Sequence, residues 1–550
     1  MQSELAQIHG HLQRGELLQA ETLCREAMRR NPFDATLVDI LGVIARGRGD
    51  SLKAIEYFKN AAAMAPSMGL FQCHLALALK AEGRNDEARA AFDSACLTDP
   101  SSFETAYNYA LFLHELGEDE AAISQSRRAV EIDPKHAGAH NNLGTALQSA
   151  GRFEEAANSY RQAIRLDPNH ANAHANLGTA LAEADQIEAS LRGIERALKR
   201  WPKNTDVLNA RVNALMRRND FVGASAAAEA VLAVEPDHAQ AHYCKGMILL
   251  ADGRLDEGFT EYEWRVRRAD FWPKRRYRKP RWNGEPLAGK TLLVHWEQGF
   301  GDIIQFCRYL PLLRAFFVAS PLHAGARIVF DCPKRLIDLI ETCGGFDEIG
   351  DYSASPPPFD VYVPLMSLPK ILGTVADTIP APVPYLKAAP ADDVIVADAN
   401  FKIGLTWASE HGESYRRKVM AITDFAALFA NNRCDFYGLQ FGAEGATIEP
   451  YVGSNVTNLG DQLGDFAHTA GVIAKMDLIL SIDTYIVHLA GALNIPTWVL
   501  LPYSPDWRWG QGRADSPWYP SLRLFRQPKP GDWTAVIKDV GRALNASAPA

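Results

Sequence analysis

The sequence predicts an α-solenoid followed by an α/β region built from two doubly wound parallel sheets. Three observations carry that reading. Seven prolines, Pro32, Pro66, Pro100, Pro134, Pro168, Pro202 and Pro236, stand 34 residues apart. From Lys290 onward, apolar strand-like runs alternate with helical segments, and this alternation restarts near residue 400. Between the two patterns, residues 265–282 (RVRRADFWPKRRYRKPRW) crowd basic and aromatic side chains and break the period.

Small residues keep the same step as the prolines. Ala27, Ala61, Ala95, Ala129, Ala163 and Ala197 recur five places before each proline, and Ala20, Ala54, Ala88, Ala122 and Ala156 seven places before those. Gly42, Gly144, Gly178 and Gly246 share a slot with Ala76 and Ala110. Each unit reads as two helices that cannot bury their apolar faces alone, so neighbours stack and share a core. Small side chains let the paired helices approach. Glycine at the turn (Gly15, Gly49, Gly83, Gly117, Gly151, Gly253) accepts conformations that other residues resist. Proline ends the unit because it cannot continue a helix and constrains the residue before it. The pattern resembles the tetratricopeptide repeat, a helix-turn-helix unit of this period. Eight units are expected over residues 1–270, the later ones looser, with Ser190, Val231 and Gly258 in alanine slots.

With 550 residues and 47% hydrophobic content, the chain can fill several cores. A net charge of −9 is mild for this length and argues against a dedicated nucleic-acid binder. The eight cysteines are scattered without a C-x-x-C pair, which predicts reduced thiols and neither a disulfide frame nor a zinc knuckle. The N-terminus has no basic start followed by an apolar run, and no apolar stretch is long enough to cross a bilayer. The expectation is a soluble, cytoplasmic protein without a transmembrane segment.

Within the repeats, Asn108, Asn142 and Asn176 lie 34 apart and should line one face of the superhelix. Amides donate and accept, so such a row can pair with the backbone of an extended peptide without reading its sequence. It resembles the asparagine ladder of eukaryotic protein O-linked N-acetylglucosamine transferases; the alternative is that each amide satisfies a neighbouring helix. Three H-x-x-x-H pairs (His136/His140, His170/His174, His238/His242) have spacing that can bind a metal. Each pair follows a repeat-closing proline, so helix-start packing is the expectation and no metal is predicted.

The basic, aromatic linker, residues 271–289 with its approach from Arg265, can be read as a nucleic-acid grip. The favoured expectation is packing between the last repeat and the next domain, with arginines stacked on Trp272, Tyr277 and Trp282. No nucleic-acid partner is predicted.

In the last half, KTLLVHW, ARIVFD and DVYVPL read as strands of a first lobe (290–395), with IIQFCRYLPLLRAFF as a helix. KIGLTWA, DFYGLQ, DLILSID, TWVLL and RLFRQ read as strands of a second lobe (396–550). Ligands of such sheets bind beyond the carboxyl ends of the strands. Two loops there stand out. In Glu297-Gln298-Gly299-Phe300-Gly301-Asp302, with Gln305 a turn later, glycines permit close backbone approach and a carboxylate can take a proton from a hydroxyl. In Ser481-Ile482-Asp483-Thr484, followed by His488, a strand gives way to a helix whose amino end suits a phosphate.

These loops, in this order, resemble the heptosyltransferase-like (glycosyltransferase family 9-like) GT-B glycosyltransferases. The whole arrangement, with GEPLAGKTLLVHWEQGFGDIIQFCRYLPLL, IDTYIVHLAGAL and PYSPDWRWG, looks like bacterial tetratricopeptide proteins carrying such a domain. The resemblance implies two Rossmann-like lobes and an enzyme that transfers a sugar from a nucleotide-sugar donor held by the second lobe. It implies Asp302 as general base and Asp483, Thr484 and His488 near the donor phosphates. It also implies a phosphate-contacting basic residue after the first strand of the second lobe, Lys418 first and Arg417 second within Tyr415-Arg416-Arg417-Lys418. No D-x-D stands at a strand end, in keeping with a metal-independent transferase that needs no cofactor. Gln440 and Trp407, at strand ends, are placed beside the base or ribose or else in the core. Asp506 and Arg508 contact the donor or else pack the two halves together. Tyr485 departs from the small residue usual after D-T, which crowds the phosphates, alters donor choice or marks lost activity. The expected acceptor is a protein or peptide along the repeat groove. The alternatives are a lipopolysaccharide or lipid-linked glycan acceptor, or a non-catalytic interaction scaffold.

Overall fold

A computed structural model describes residues 2–268, 271, 277–380, 382–394, 400–409 and 417–547. Contacts separate the chain into two compact units, Met1–Ala184 and Asp185–Ala550. The repeat pattern ends near residue 270, whereas packing divides the chain inside the sixth repeat, between its two helices.

The helices come in eight pairs, from Gln2–Gln13 with Leu17–Arg30 to Ala239–Ala251 with Leu255–Tyr262. The reason is visible at each recurring slot. The turn between paired helices has positive φ at Gly15, Gly49, Gly83, Gly117, Gly151 and Gly253, and Asp185 and Asn219 hold the same conformation in the sixth and seventh repeats. Asp and Asn are the non-glycine residues that tolerate it best. The glycine slot is one of close approach: a Cβ on Gly144 would lie 2.6 Å from the ring of Tyr160, and one on Gly246 would lie 2.7 Å from the backbone nitrogen of Tyr262. The alanines five places before each proline are buried.

The second unit continues from its repeat helices into two all-parallel sheets. The first has strands β1 (Thr291–His295), β2 (Arg327–Cys332), β3 (Glu348–Asp351) and β4 (Val361–Pro364) in the order β3-β2-β1-β4. The second has β5 (Phe401–Thr406), β6 (Cys434–Gly438), β7 (Val456–Asn458), β8 (Leu478–Ile482), β9 (Thr497–Leu501) and β10 (Leu522–Arg526) in the order β7-β6-β5-β8-β9-β10. Counted from its own first strand, the second sheet is 3-2-1-4-5-6, the doubly wound order, which reverses between β5 and β8. Ligands of such sheets sit at that reversal.

Two short strands lie outside the sequence expectation. EIGD and VTN, at sheet edges, are too short and too polar to form an apolar run. The expected long helix after β1 is two, Phe300–Phe306 and Tyr309–Val318. Pro311 explains the break, because proline is tolerated only in the first turn of a helix. All eight cysteines are free thiols. Among the described residues, no helix is long and apolar enough to cross a membrane.

Candidate functional site

The loop after β1 turns at Gln298, which takes a left-handed φ of 63°. Gly299 then caps the helix Phe300–Phe306, and Asp302 reaches back to accept its N–H at 2.8 Å. Gly301 is required to be small, since a Cβ there would lie 2.8 Å from His488 Cδ2 on the helix Tyr485–Ala492. This contact brings the first lobe's loop against the second lobe's turn.

That turn leaves β8 at the sheet's reversal. Ser481 hydrogen-bonds across to Thr406 of β5, and Asp483 Oδ2 lies 2.5 Å from Lys418 Nζ. Thr484 precedes the helix without a side-chain cap bond, so the first-turn N–H groups receive no acceptor from it. His488 is buried, with Nδ1 3.0 Å from the Tyr519 hydroxyl. Burial, reinforced by Arg508, holds it well below the usual imidazole range, so it is neutral.

A third loop crosses between the lobes. Arg508 pairs with Asp302, bonds Asp506 Oδ1 at 2.9 Å and donates from Nε to Gln305 Oε1 at 2.7 Å. Burial pushes the Asp302 carboxyl up, against the pull of Arg508. For Asp506 burial is outweighed by Arg508 and Lys418, and its carboxyl is lowered. A second arginine spans the same seam: Arg308 donates to the carbonyls of Pro380 and Trp518 and to the Tyr385 hydroxyl.

These loops enclose a cavity of about 660 Å³ at the carboxyl ends of both sheets. Its lining includes Gln298, Gly299, Gly301, Asp302, Lys418, Gln440, Asp483, Thr484, His488, Asp506 and Arg508. Gln440 ties two strand ends together by accepting the Ala408 N–H at 3.1 Å. Tyr485 lines the cavity without filling it; its ring packs edge-on against Phe466 at 5.0 Å.

Two expectations are corrected, for Glu297 and Gln305, and the open alternatives for Trp407 and Arg508 resolve to packing. Glu297 is no acceptor-side carboxylate: it is 1% exposed and holds Arg265 in a two-pronged ion pair at 2.7 and 2.8 Å. Trp407 is fully buried in the second lobe's core and lines nothing. Gln305 is buried behind the cavity against Arg508. Arg508 spends its guanidinium on protein carboxylates and an amide, the packing alternative, and His488 cannot serve as a cation. Of the two basic candidates Lys418 borders the cavity and Arg417 does not; Tyr415 and Arg416 fall outside the described residues.

Sequence reasoning missed the wall supplied by the helical half. Tyr243, Arg265, Arg268 and Phe271 line the same cavity. Three arginines of this stretch stack on repeat aromatics, Arg265 on Tyr262, Arg267 on Trp264 and Arg268 on Tyr243, in place of the expected Tyr277 and Trp282; Trp272 is outside the described residues. The only available signal was the density of arginine and aromatic residues in RVRR and what precedes it.

In the first unit Asn108, Asn142 and Asn176 are half-buried on successive repeats. Asn176 donates to Asn141 at 3.2 Å, as expected where an amide satisfies a neighbouring helix, whereas Asn142 Nδ2 is buried without a partner among the described residues. The histidine pairs cap helices: Ala139, Ala173 and Ala241 donate to Nδ1 of His136, His170 and His238. His140, His174 and His242 reach back to the carbonyls of Pro134, Pro168 and Pro236.

Comparison with known proteins agrees with the helical half. The family described as tetratricopeptide repeat matches residues 5–68, 73–137 and 209–270, and the TPR repeat family matches 146–184. The chain carries tetratricopeptide repeats. Protein FlbA of Caulobacter vibrioides is 26% identical over 331 residues, 56% of this chain and 55% of that protein, so the chain spans about half the length of this curated relative. A tetratricopeptide repeat protein from Parabacteroides merdae aligns at 18% identity and TM-score 0.38, covering 42% of this chain and 92% of its own. MamA from Desulfovibrio magneticus aligns at 21% identity and TM-score 0.29, covering 30% and 94%.

Proposed function

We propose that this chain is a metal-independent, cytoplasmic glycosyltransferase of GT-B type, moving a sugar from a nucleotide-sugar donor to a protein acceptor presented by the repeats. The observation that carries this reading is one cavity, at the carboxyl ends of two parallel sheets, lined together by Asp302, Lys418 and the 483–485 turn. Its volume of about 660 Å³ falls in the range of small-molecule sites.

In this reading Asp302 accepts the proton of the acceptor hydroxyl. Burial raises its pKa, which makes it the better base, and two hydrogen bonds fix its direction. The departing diphosphate gathers negative charge. Lys418 turns from Asp483 to meet it, together with the amino end of the helix Tyr485–Ala492. His488, being neutral, contributes a hydrogen bond and no charge. Gln440 and Ser409, also on the lining, flank the donor's base and ribose. A lipid-linked glycan as acceptor leaves the chemistry unchanged.

One observation favours a second reading, the non-catalytic scaffold: both oxygens of Asp302 already have partners. Calorimetric titration of the full chain with uridine, guanosine and adenosine diphosphates decides between them. Binding of one, weakened about tenfold or more by Lys418→Ala, supports the transferase, since hydrogen bonds to charged groups are worth about 1.5–3 kcal/mol. Failure of all three to bind supports the scaffold.

A further inference from the structure

We propose that Arg508 is a positioning residue for Asp302: it ties that carboxylate to Asp506 and Gln305 across the seam between the two sheets, and does not grip the donor. The proposal rests on reading this cavity as the transfer site.

The geometry commits each nitrogen of the Arg508 guanidinium to a protein partner. A guanidinium has five N–H donors in a fixed fork. Here Nη2 goes to Asp302, Nη1 to Asp506 and Nε to Gln305. The side chain is 7% exposed and its plane lies over the Trp507 ring at 4.6 Å. Asp302, in turn, has one bond inside its own loop, from the Gly299 N–H, and one from Arg508. Without Arg508 a single hydrogen bond at Oδ2 would set its direction. Gln305 follows Asp302 by three residues, so both stand on one helix face. Its Oε1 accepts from Arg508, while its Nε2 is buried without a partner among the described residues.

The charged and titratable groups facing Asp302 come from every element around it. Glu297 belongs to its own loop, Tyr262 to the last repeat helix, Asp506 and Arg508 to the loop after β9, and His488 to the helix packed on Gly301. Arg508 is the cation bonded to Asp302 itself, whereas Glu297 is neutralised by Arg265 and Asp506 also feels Lys418, so removing Arg508 takes away the counter-charge in direct contact with Asp302.

The test follows the Asp302 carboxyl directly. In the full-length chain labelled with carbon-13 at aspartate Cγ, the Asp302 resonance is assigned by its loss in Asp302→Asn. Arg508→Met is expected to raise the titration midpoint by about one pH unit or more, a tenfold change in proton affinity; Arg508→Lys raises it less. Asp506→Asn, which folds without leaving a buried cation unpaired, lowers the midpoint. In turnover assays Arg508→Lys lowers kcat, moves the acid limb of the pH profile with the midpoint and leaves the donor KM within about twofold. Unmoved midpoints in all variants overturn the proposal, as does a donor KM raised tenfold with the acid limb in place. Should Arg508→Met fail to fold, Asp506→Asn and Arg508→Lys still decide. A wild-type chain that binds and turns over no donor removes the transferase reading, while the carboxyl titration still judges the role of Arg508.

Discussion

The repeats before Ala184 and those after it share a 34-residue pattern, yet their charges live in different surroundings. In the unit Met1–Ala184, ion pairs such as Arg127–Glu155 and Arg84–Glu87 sit at the surface between exposed side chains. In the unit Asp185–Ala550, Arg265 leaves the final repeat fully buried, held by Glu297 and Glu263. The lesson is that the period dictates helices and turns, while the residues between the fixed slots decide what a repeat does with its surface. Where arginines and aromatics replace ordinary polar residues, the repeat becomes part of a binding cavity.

The contrast breaks most visibly by deleting one carboxylate in each setting. Glu297→Ala leaves Arg265 charged and buried, which costs about 3–5 kcal/mol. Glu155→Ala removes an exposed pair worth less than about 1 kcal/mol. All eleven tryptophans lie beyond residue 184, so tryptophan fluorescence during urea unfolding follows the second unit, and helical circular dichroism adds the first. Equal losses in the two variants would contradict the contrast.

The pH dependence of the two units should have opposite signs. Burial would lower His74, but the carboxylates of Asp39 and Glu104 outweigh it and raise it from 6.5 to about 9. The folded state keeps a proton that the unfolded chain releases. That stabilisation, at most roughly 3–4 kcal/mol, is fully present below pH 6.5 and lost as pH rises to about 9. His488 is pushed the other way, well below 6.5, so its contribution is present above pH 6.5 and lost as pH falls below it. His74→Gln should flatten the alkaline slope of the first transition, and His488→Gln the acid slope of the second. Slopes unchanged by either substitution would show that other groups govern them.

A smaller effect separates the groove from the cavity. Replacing any one of Asn108, Asn142 and Asn176 by alanine should raise KM for a polypeptide acceptor about fivefold, since each net hydrogen bond is worth about 1 kcal/mol, and leave a free sugar acceptor unaffected. An equal loss toward both acceptors would count against a peptide role.

The helical half was legible because its signal repeats: proline, alanine and glycine mark the same slots again and again, and Asp185 and Asn219 were readable as turn residues once the register was known. The strands with apolar runs were legible too, and so was the meeting of Asp302 with the 483–485 turn, through the rule that strand ends carry function. Side-chain partners were not. Glu297 and Asp302 look alike in EQGFGD, and only the fold shows that Arg265 occupies one. Trp407 follows a strand, as Gln440 does, but alternation along the chain cannot say which faces the cavity. Tyr243 was invisible because the pattern assigned it to a different half of the chain, and Arg268 showed only as part of the basic, aromatic segment.

Sugar transfer with Asp302 as base is tested by comparing nucleoside diphosphate release from a bound sugar donor by the wild-type chain and by Asp302→Asn in the presence of acceptor. Turnover is expected to fall about 10²–10⁴-fold with donor affinity nearly unchanged. Turnover equal to wild type in Asp302→Asn would contradict it.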